Sequence, residues 1–150
     1  MEERALYIIC EGQTDAAVLR EILDCSRYGK VYMVPAGGYN NLSSVARTIR
    51  LMRVGDDNDN RIIVVFDSDS LEPKVKGEKT EMMRYMLNAR YDERVEVFCF
   101  EPDIDVALFG ERRFSSKAIK EGTIRNELAS RMDELRSNPV IREIQEFLDR

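Results

Sequence analysis

Four apolar runs separated by stretches of helical spacing organise the first hundred residues. That alternation narrows the fold to an α/β architecture with a mainly parallel sheet, helices on both faces and right-handed crossovers. The first run, ALYIIC (5–10), is continuous and bounded by Glu-Gly, as expected of a strand covered on both faces. Residues 14–24 follow with Ala17, Val18, Leu19, Ile22 and Leu23 at helical spacing, and Thr14 reads as the N-cap. KVYMVPA (30–36) is the second strand, ended by Gly37-Gly38. Asn41 then caps a helix with Leu42, Val45, Ile49 and Met52 on one face. GDDNDN (55–60) is a polar loop, and RIIVVF (61–66), the most β-branched run, is the expected central strand. DSDS, a basic loop and a helix around 80–90 lead to the fourth strand, VEVFCF (95–100), which EPDID stops.

The remainder reads as helical. Ile124, Leu128, Met132 and Leu135 form one stripe, expected to pack on the sheet rather than to dock a partner. Asn138-Pro139 opens a last helix running to about 149. With 150 residues, no internal repeat and no linker, the chain is expected to form a single domain: a core over 1–110 and a helical extension over 111–150 packed on it.

In open parallel sheets, sites form outside the carboxyl ends of the strands. Three of the four strands end in carboxylates: Glu11 after the first, Asp67 and Asp69 after the third, and Glu101, Asp103 and Asp105 after the fourth. Parallel strands align these ends, so the acids are expected to converge. Clustered carboxylates repel one another, and a hard divalent cation relieves that repulsion with oxygen ligands. In Asp67-Ser68-Asp69, strand alternation would aim both aspartates to one side. Gly12 implies a tight turn presenting Glu11, and the helix start beyond it offers free N–H groups to a phosphate. Each element has a plainer reading. Asp-x-Asp after a strand also makes turns, Asp15 also satisfies a helix dipole, and Gly37-Gly38 also serves as a simple loop.

Composition removes several alternatives. The chain has no histidine, which excludes histidine-ligated zinc and histidine acid–base chemistry. Its three cysteines form no CxxC pair, and Cys10 and Cys99 lie in apolar runs as buried thiols. No apolar stretch is long enough to span a bilayer, and Met-Glu-Glu-Arg is too acidic to open a secretory leader. A cytoplasmic protein without a membrane partner is therefore expected. A net charge of −5 argues against a general polyanion binder. Basic residues nevertheless gather in three groups: Arg47, Arg50 and Arg53; Lys74, Lys76, Lys79 and Arg84; and Arg112, Arg113, Lys117 and Lys120. Solvated faces are the plainer reading of each.

EGQTD after the first strand and VVFDSDS after the third resemble the signature of the Toprim domain, found in topoisomerases, bacterial primases and small nucleases. Glu11, Asp67 and Asp69 stand at its acidic positions, and the resemblance covers roughly residues 5 to 110. VPAGGYNNL (34–42) and EPDIDVALF (101–109) are similar to the nuclease branch of the overcoming-lysogenization-defect type. The resemblance implies a Rossmann-like, four-stranded Toprim fold. It implies Asp15 and the acids after the fourth strand, Asp103 and Asp105, as further metal ligands, with Asp105 where that branch has glutamate. It also implies a later lysine assisting phosphate chemistry, for which Lys117 or Lys120 would stand.

The 150 residues contain no G-x-x-x-x-G-K-[ST] loop for an ATPase and leave no room for the second domain from which topoisomerases present a tyrosine, so strand transfer is not expected. What the resemblance then implies is phosphodiester hydrolysis of DNA or RNA with Mg²⁺ or Mn²⁺, two ions being expected. Glu11 would be a ligand or general base and Lys117 a second catalytic group. Gly12, Gly37, Gly38, Lys74, Lys76 and Lys79 would contact phosphate. The rival is a non-catalytic metal- or nucleic-acid-binding Toprim module acting as a subunit of a protein partner or homo-oligomer. A haloacid-dehalogenase-like phosphatase using DSDS is disfavoured, because that motif follows the first strand of its domain and continues with threonine or valine.

Overall fold

A computed structural model of the chain describes residues 4–51, 60–110, 126 and 128–150. Arg53, Arg112, Arg113, Lys117, Lys120 and Ile124 lie outside the described residues. Four strands, β1 (Ala5–Cys10), β2 (Lys30–Pro35), β3 (Arg61–Asp67) and β4 (Val95–Phe100), form one sheet in the order β2-β1-β3-β4. Every neighbouring pair is parallel. The chain leaves β1 toward β2 on one side and returns to β3 on the other. The loops after β1 and β3 therefore diverge, and the crevice between them is the topological switch point at which α/β sheets bind ligands.

Side chains alternate along each strand and divide the core in two. Leu6, Ile8, Cys10, Ile63, Val65, Phe98 and Phe100 face one way. They meet α1 (Gln13–Ile22), α4 (Ile104–Phe109), α5 (Met132–Arg136) and α6 (Pro139–Leu148). Ala5, Tyr7, Ile9, Ile62, Val64, Phe66, Val95, Val97 and Cys99 face the other way, under α2 (Leu42–Ile49) and α3 (Pro73–Met86). Apolar runs, broken in β4 only by Glu96, mark β1, β3 and β4 because these strands are covered on both sides.

The C-terminal stripe packs on this domain: Leu128 and Leu135 are buried in the first cluster, and Met132 lies against it. Asn138 caps α6 as its sequence implies, its side-chain oxygen accepting from the amides of Val140 and Ile141 at 2.9 and 3.3 Å. Asn138→Ala is expected to cost about 1 kcal/mol, readable in a denaturant melt. Cys10 and Cys99 are buried free thiols. Among the described residues, no helix is long and apolar enough to cross a membrane.

Three local expectations need correction. The segment read as a basic loop is the first half of α3, which starts at Pro73 rather than near 80. Proline suits a first helical turn, whereas a sparse apolar pattern in which only Met83 is buried gave the periodicity little to show. α1 begins at Gln13 with Gly12 as its cap, placing Thr14 inside the first turn. Asn41 precedes α2 but does not cap it with its side chain. Its amide instead donates back to the carbonyls of Ala36 and Gly37 at 3.2 and 3.4 Å, closing the β2–α2 loop on itself.

Candidate metal site at the carboxyl edge of the sheet

The register explains why acids distant in sequence converge. Cys10 lies opposite Val65, and Asp67 lies opposite Phe100, so Glu11, Asp67 and the segment beginning at Glu101 emerge along one edge. Asp15 reaches the same edge from the first turn of α1. Glu11, Asp15 and Asp67 each offer a carboxylate oxygen, and the three lie within 4.8 Å of one another.

Backbone bonds hold two of them in place. The Asp67 amide donates to Glu11 Oε2 at 2.9 Å, and the Ile104 amide at the start of α4 donates to Asp67 Oδ1 at 3.0 Å. From behind, the amides of Gly37 and Gly38 both donate to the Glu11 carbonyl, at 3.0 and 2.9 Å. Those two amides are thus engaged with the protein, and the glycine pair sets the turn. Gly37 has φ +84° and Gly38 φ +124°, conformations that favour glycine. Gly12, by contrast, is extended at φ −143°, with nothing within 4 Å of an added Cβ. Gly12→Ala should therefore leave stability within about 0.5 kcal/mol of the parent, while Gly38→Ala should cost about 1–3 kcal/mol in the same melt.

Burial and mutual repulsion make these carboxyls hard to ionise. Asp67 is pushed up to about 8, first by burial and then by the charges of Asp15 and Glu11, against the opposing bond from Ile104. Asp15 is pushed up to about 6 by burial, then by Glu11, Asp105, Asp103 and Asp69. Burial also raises Glu11, while its bond from the Asp67 backbone and the nearby Lys79 ammonium pull the other way. Each of these carboxyls is therefore harder to ionise while its neighbours are charged. Such a trio suits a hard cation: the donors are oxygens, they lie close together, and two of them are held by backbone amides. Glu11, Asp15 and Asp67 can hold a metal ion.

The remaining expected site residues are placed less uniformly. Asp69 is exposed and lies beyond the end of β3 with φ +55°, so strand alternation does not aim it alongside Asp67. Its charge still reaches Glu11 and Asp15. The loop carrying it is tied to the one after β4, the Ser68 amide donating to the Phe100 carbonyl at 2.9 Å and the Asp69 amide to Pro102 at 2.8 Å. Asp103 is buried and caps α4, accepting from the Val106 amide at 2.9 Å. Asp105 is half-buried in the first turn of that helix, and its charge is felt at Asp15.

Among the expected phosphate-binding lysines, Lys79 comes nearest the acids. Its ammonium donates to the Ser68 carbonyl at 2.9 Å and lies 4.9 Å from the centre of the Tyr39 ring. Lys74 is exposed and pairs with Glu78, and Lys76 is half-buried along the same helix. Elsewhere, Arg50 and Arg94 pair with Asp92 and Arg84 pairs with Glu96, which accounts structurally for much of the scattered basic charge. Sequence reasoning missed Tyr39 as a neighbour of the site. No local pattern marks it, because the β2–α2 loop meets α3 only in the folded sheet.

Compared with protein-family models and with curated proteins, the chain matches none.

Proposed function

We propose that the chain is a Toprim-type nuclease that hydrolyses nucleic-acid phosphodiesters with a divalent ion, Mg²⁺ or Mn²⁺, held by Glu11, Asp15 and Asp67. The observation behind this reading is the convergence of three half-buried carboxylates, their oxygens within 4.8 Å, at the switch point between β1 and β3. When bound, such an ion supplies an activated water and charge stabilisation for the departing oxygen.

The chain's own residues do the positioning. The Asp67 amide fixes Glu11, the Ile104 amide fixes Asp67, and α1 directs its N-terminal N–H groups toward the edge where a phosphate would lie. Lys79 adds a cation held by Ser68 and Tyr39. A second ion would draw on Asp69 and Asp105, whose charges already reach the trio.

The test is cleavage of end-labelled DNA and RNA with Mg²⁺ or Mn²⁺, against an EDTA control and Asp67→Asn. Metal-dependent cleavage lost in the variant supports the reading, whereas cleavage of equal rate in the variant contradicts it.

A second reading, the non-catalytic module, is favoured by one placement. Asp69 stands outside the trio and the Asp103 carboxylate caps a helix, leaving ligands for one ion where two-ion hydrolysis wants two. Metal and oligonucleotide binding without cleavage under either ion would select it.

A further inference from the structure

From the acid edge, α3 carries the chain to the opposite end of the sheet. Its 14 residues span about 21 Å at 1.5 Å each. Beyond it, Leu87 and Ala89 are buried, and Asn88 between them is left-handed at φ +52°. The Asn88 amide donates to the Tyr85 carbonyl at 3.2 Å, and the Tyr91 amide to the Asn88 carbonyl at 3.0 Å. This closed turn presents Arg90 and Tyr91 outward. Tyr85 and Tyr91 are 81% and 83% exposed. Both line one depression of about 430 Å³, together with Arg84, Asn88 and Arg90. Single exposed aromatics are ordinary on protein surfaces; two sharing one depression with arginines are not.

The electrostatics point the same way. Adjoining depressions of about 390 and 510 Å³ share Arg90 and Tyr91 respectively with the first, and add Arg50, Arg61, Arg94 and Arg150. Across the three, six arginines face four acids, Glu81, Asp92, Glu93 and Glu96, an excess of two positive charges on a chain whose net charge is −5. Asp92 and Glu96 are already paired with arginines, whereas Arg90 is exposed and makes no ion pair with a described residue.

We infer that the Tyr85–Arg90–Tyr91 surface is a docking site for single-stranded nucleic acid. Exposed tyrosine faces stack unpaired bases regardless of sequence, and adjacent arginines meet the phosphates. A duplex keeps its bases stacked on one another, away from those rings. As a substrate class for the acid edge, the inference rests on the preceding reading. The binding itself needs no metal. About six stacked nucleotides at 3.4 Å each would cover the length of α3 and reach Lys79 and the acids.

The test is fluorescence anisotropy of a labelled twelve-residue oligothymidylate with the full chain in EDTA. Tyr85→Ala/Tyr91→Ala is expected to weaken binding about tenfold or more. Arg90→Glu should weaken it and flatten its salt dependence. Because the altered side chains are exposed, unchanged thermal melts confirm that the variants fold. Undiminished binding by the tyrosine variant, a preference for duplex, or no binding by the parent chain would overturn the inference. Tyrosine-dependent binding in a protein that neither holds metal nor cleaves would retain this surface while removing the nuclease reading.

Discussion

Asp67→Asn is expected to lower divalent-metal affinity by at least about 100-fold, since it removes a ligand rather than a supporting group. Cleavage should fall by about 10³-fold or more, because the charge stabilisation an ion supplies is several kcal/mol and each factor of ten is 1.36 kcal/mol. Asparagine suits this test because it preserves the local bonding. Its side-chain oxygen can still accept from the Ile104 amide, and its NH₂ can donate toward Glu11, so the loops after β3 and β4 stay in place. Quantitative cleavage assays across a metal titration separate lost affinity, recovered at high metal, from lost catalysis, which is not.

The same substitution is expected to stabilise the metal-free protein at alkaline pH. In an unfolded chain an aspartate titrates near 3.9. In the folded protein Asp67 titrates at about 8 and Asp15 at about 6, both raised chiefly by burial and then by their acidic neighbours. Between pH 4 and those values the folded state holds protons that the unfolded state has released. Stability therefore falls as pH rises through this window, and the Asp67 contribution levels off above pH 8. Asp67→Asn removes the Asp67 share of that slope, which runs from about pH 4 to 8, and leaves the Asp15 share between about pH 4 and 6. Thermal melts in EDTA should show the variant and the parent converging near pH 4. At pH 8 the variant should be ahead by on the order of 2 kcal/mol, roughly 4–8 °C for a chain of this size. Divalent metal should reverse the ranking at pH 8 by stabilising only the parent. A parent whose stability rose between pH 6 and 8 relative to the variant would contradict the repulsive cluster.

Much of this arrangement is legible in the sequence, for identifiable reasons. β1, β3 and β4 are covered on both faces, so β1 and β3 read as almost continuous apolar runs and β4 as one broken only by Glu96. Their parallel order then places Glu11 and Asp67 on one edge without further information. Asn138-Pro139 announces α6 through local chemistry alone, a side-chain cap followed by a ring whose φ suits the first turn.

What escapes the sequence is set by contacts between distant segments. The start of α3 is concealed because its first two turns bury little and carry charge. The pairing of Asp67 with Asp69 fails because β3 ends at Asp67, and the next loop bonds to Phe100 and Pro102 instead of continuing as strand. Gly12 looks like a conformational requirement but is extended, while Gly37 and Gly38, which do need their conformations, orient Glu11 from a different strand. Asn60 reads as part of a polar loop, yet it is buried with its side-chain oxygen accepting from the Ala5 amide at 2.8 Å, tying the start of β1 to that of β3. Asp15 illustrates both sides. The pattern places it in a first helical turn, and only the fold brings it beside Glu11 and Asp67.

The most direct test of the central claim is a calorimetric titration of Mn²⁺ into the metal-free protein at pH 8, comparing the parent with Asp67→Asn in two buffers of different ionisation enthalpy. If Glu11, Asp15 and Asp67 form the site, the parent binds and releases protons, because the ion displaces those that burial and acidic neighbours keep on Asp67. The variant then shows neither the binding heat nor the buffer dependence. Equal binding in both proteins, or none in the parent even with an oligonucleotide supplying phosphate oxygens, would contradict it.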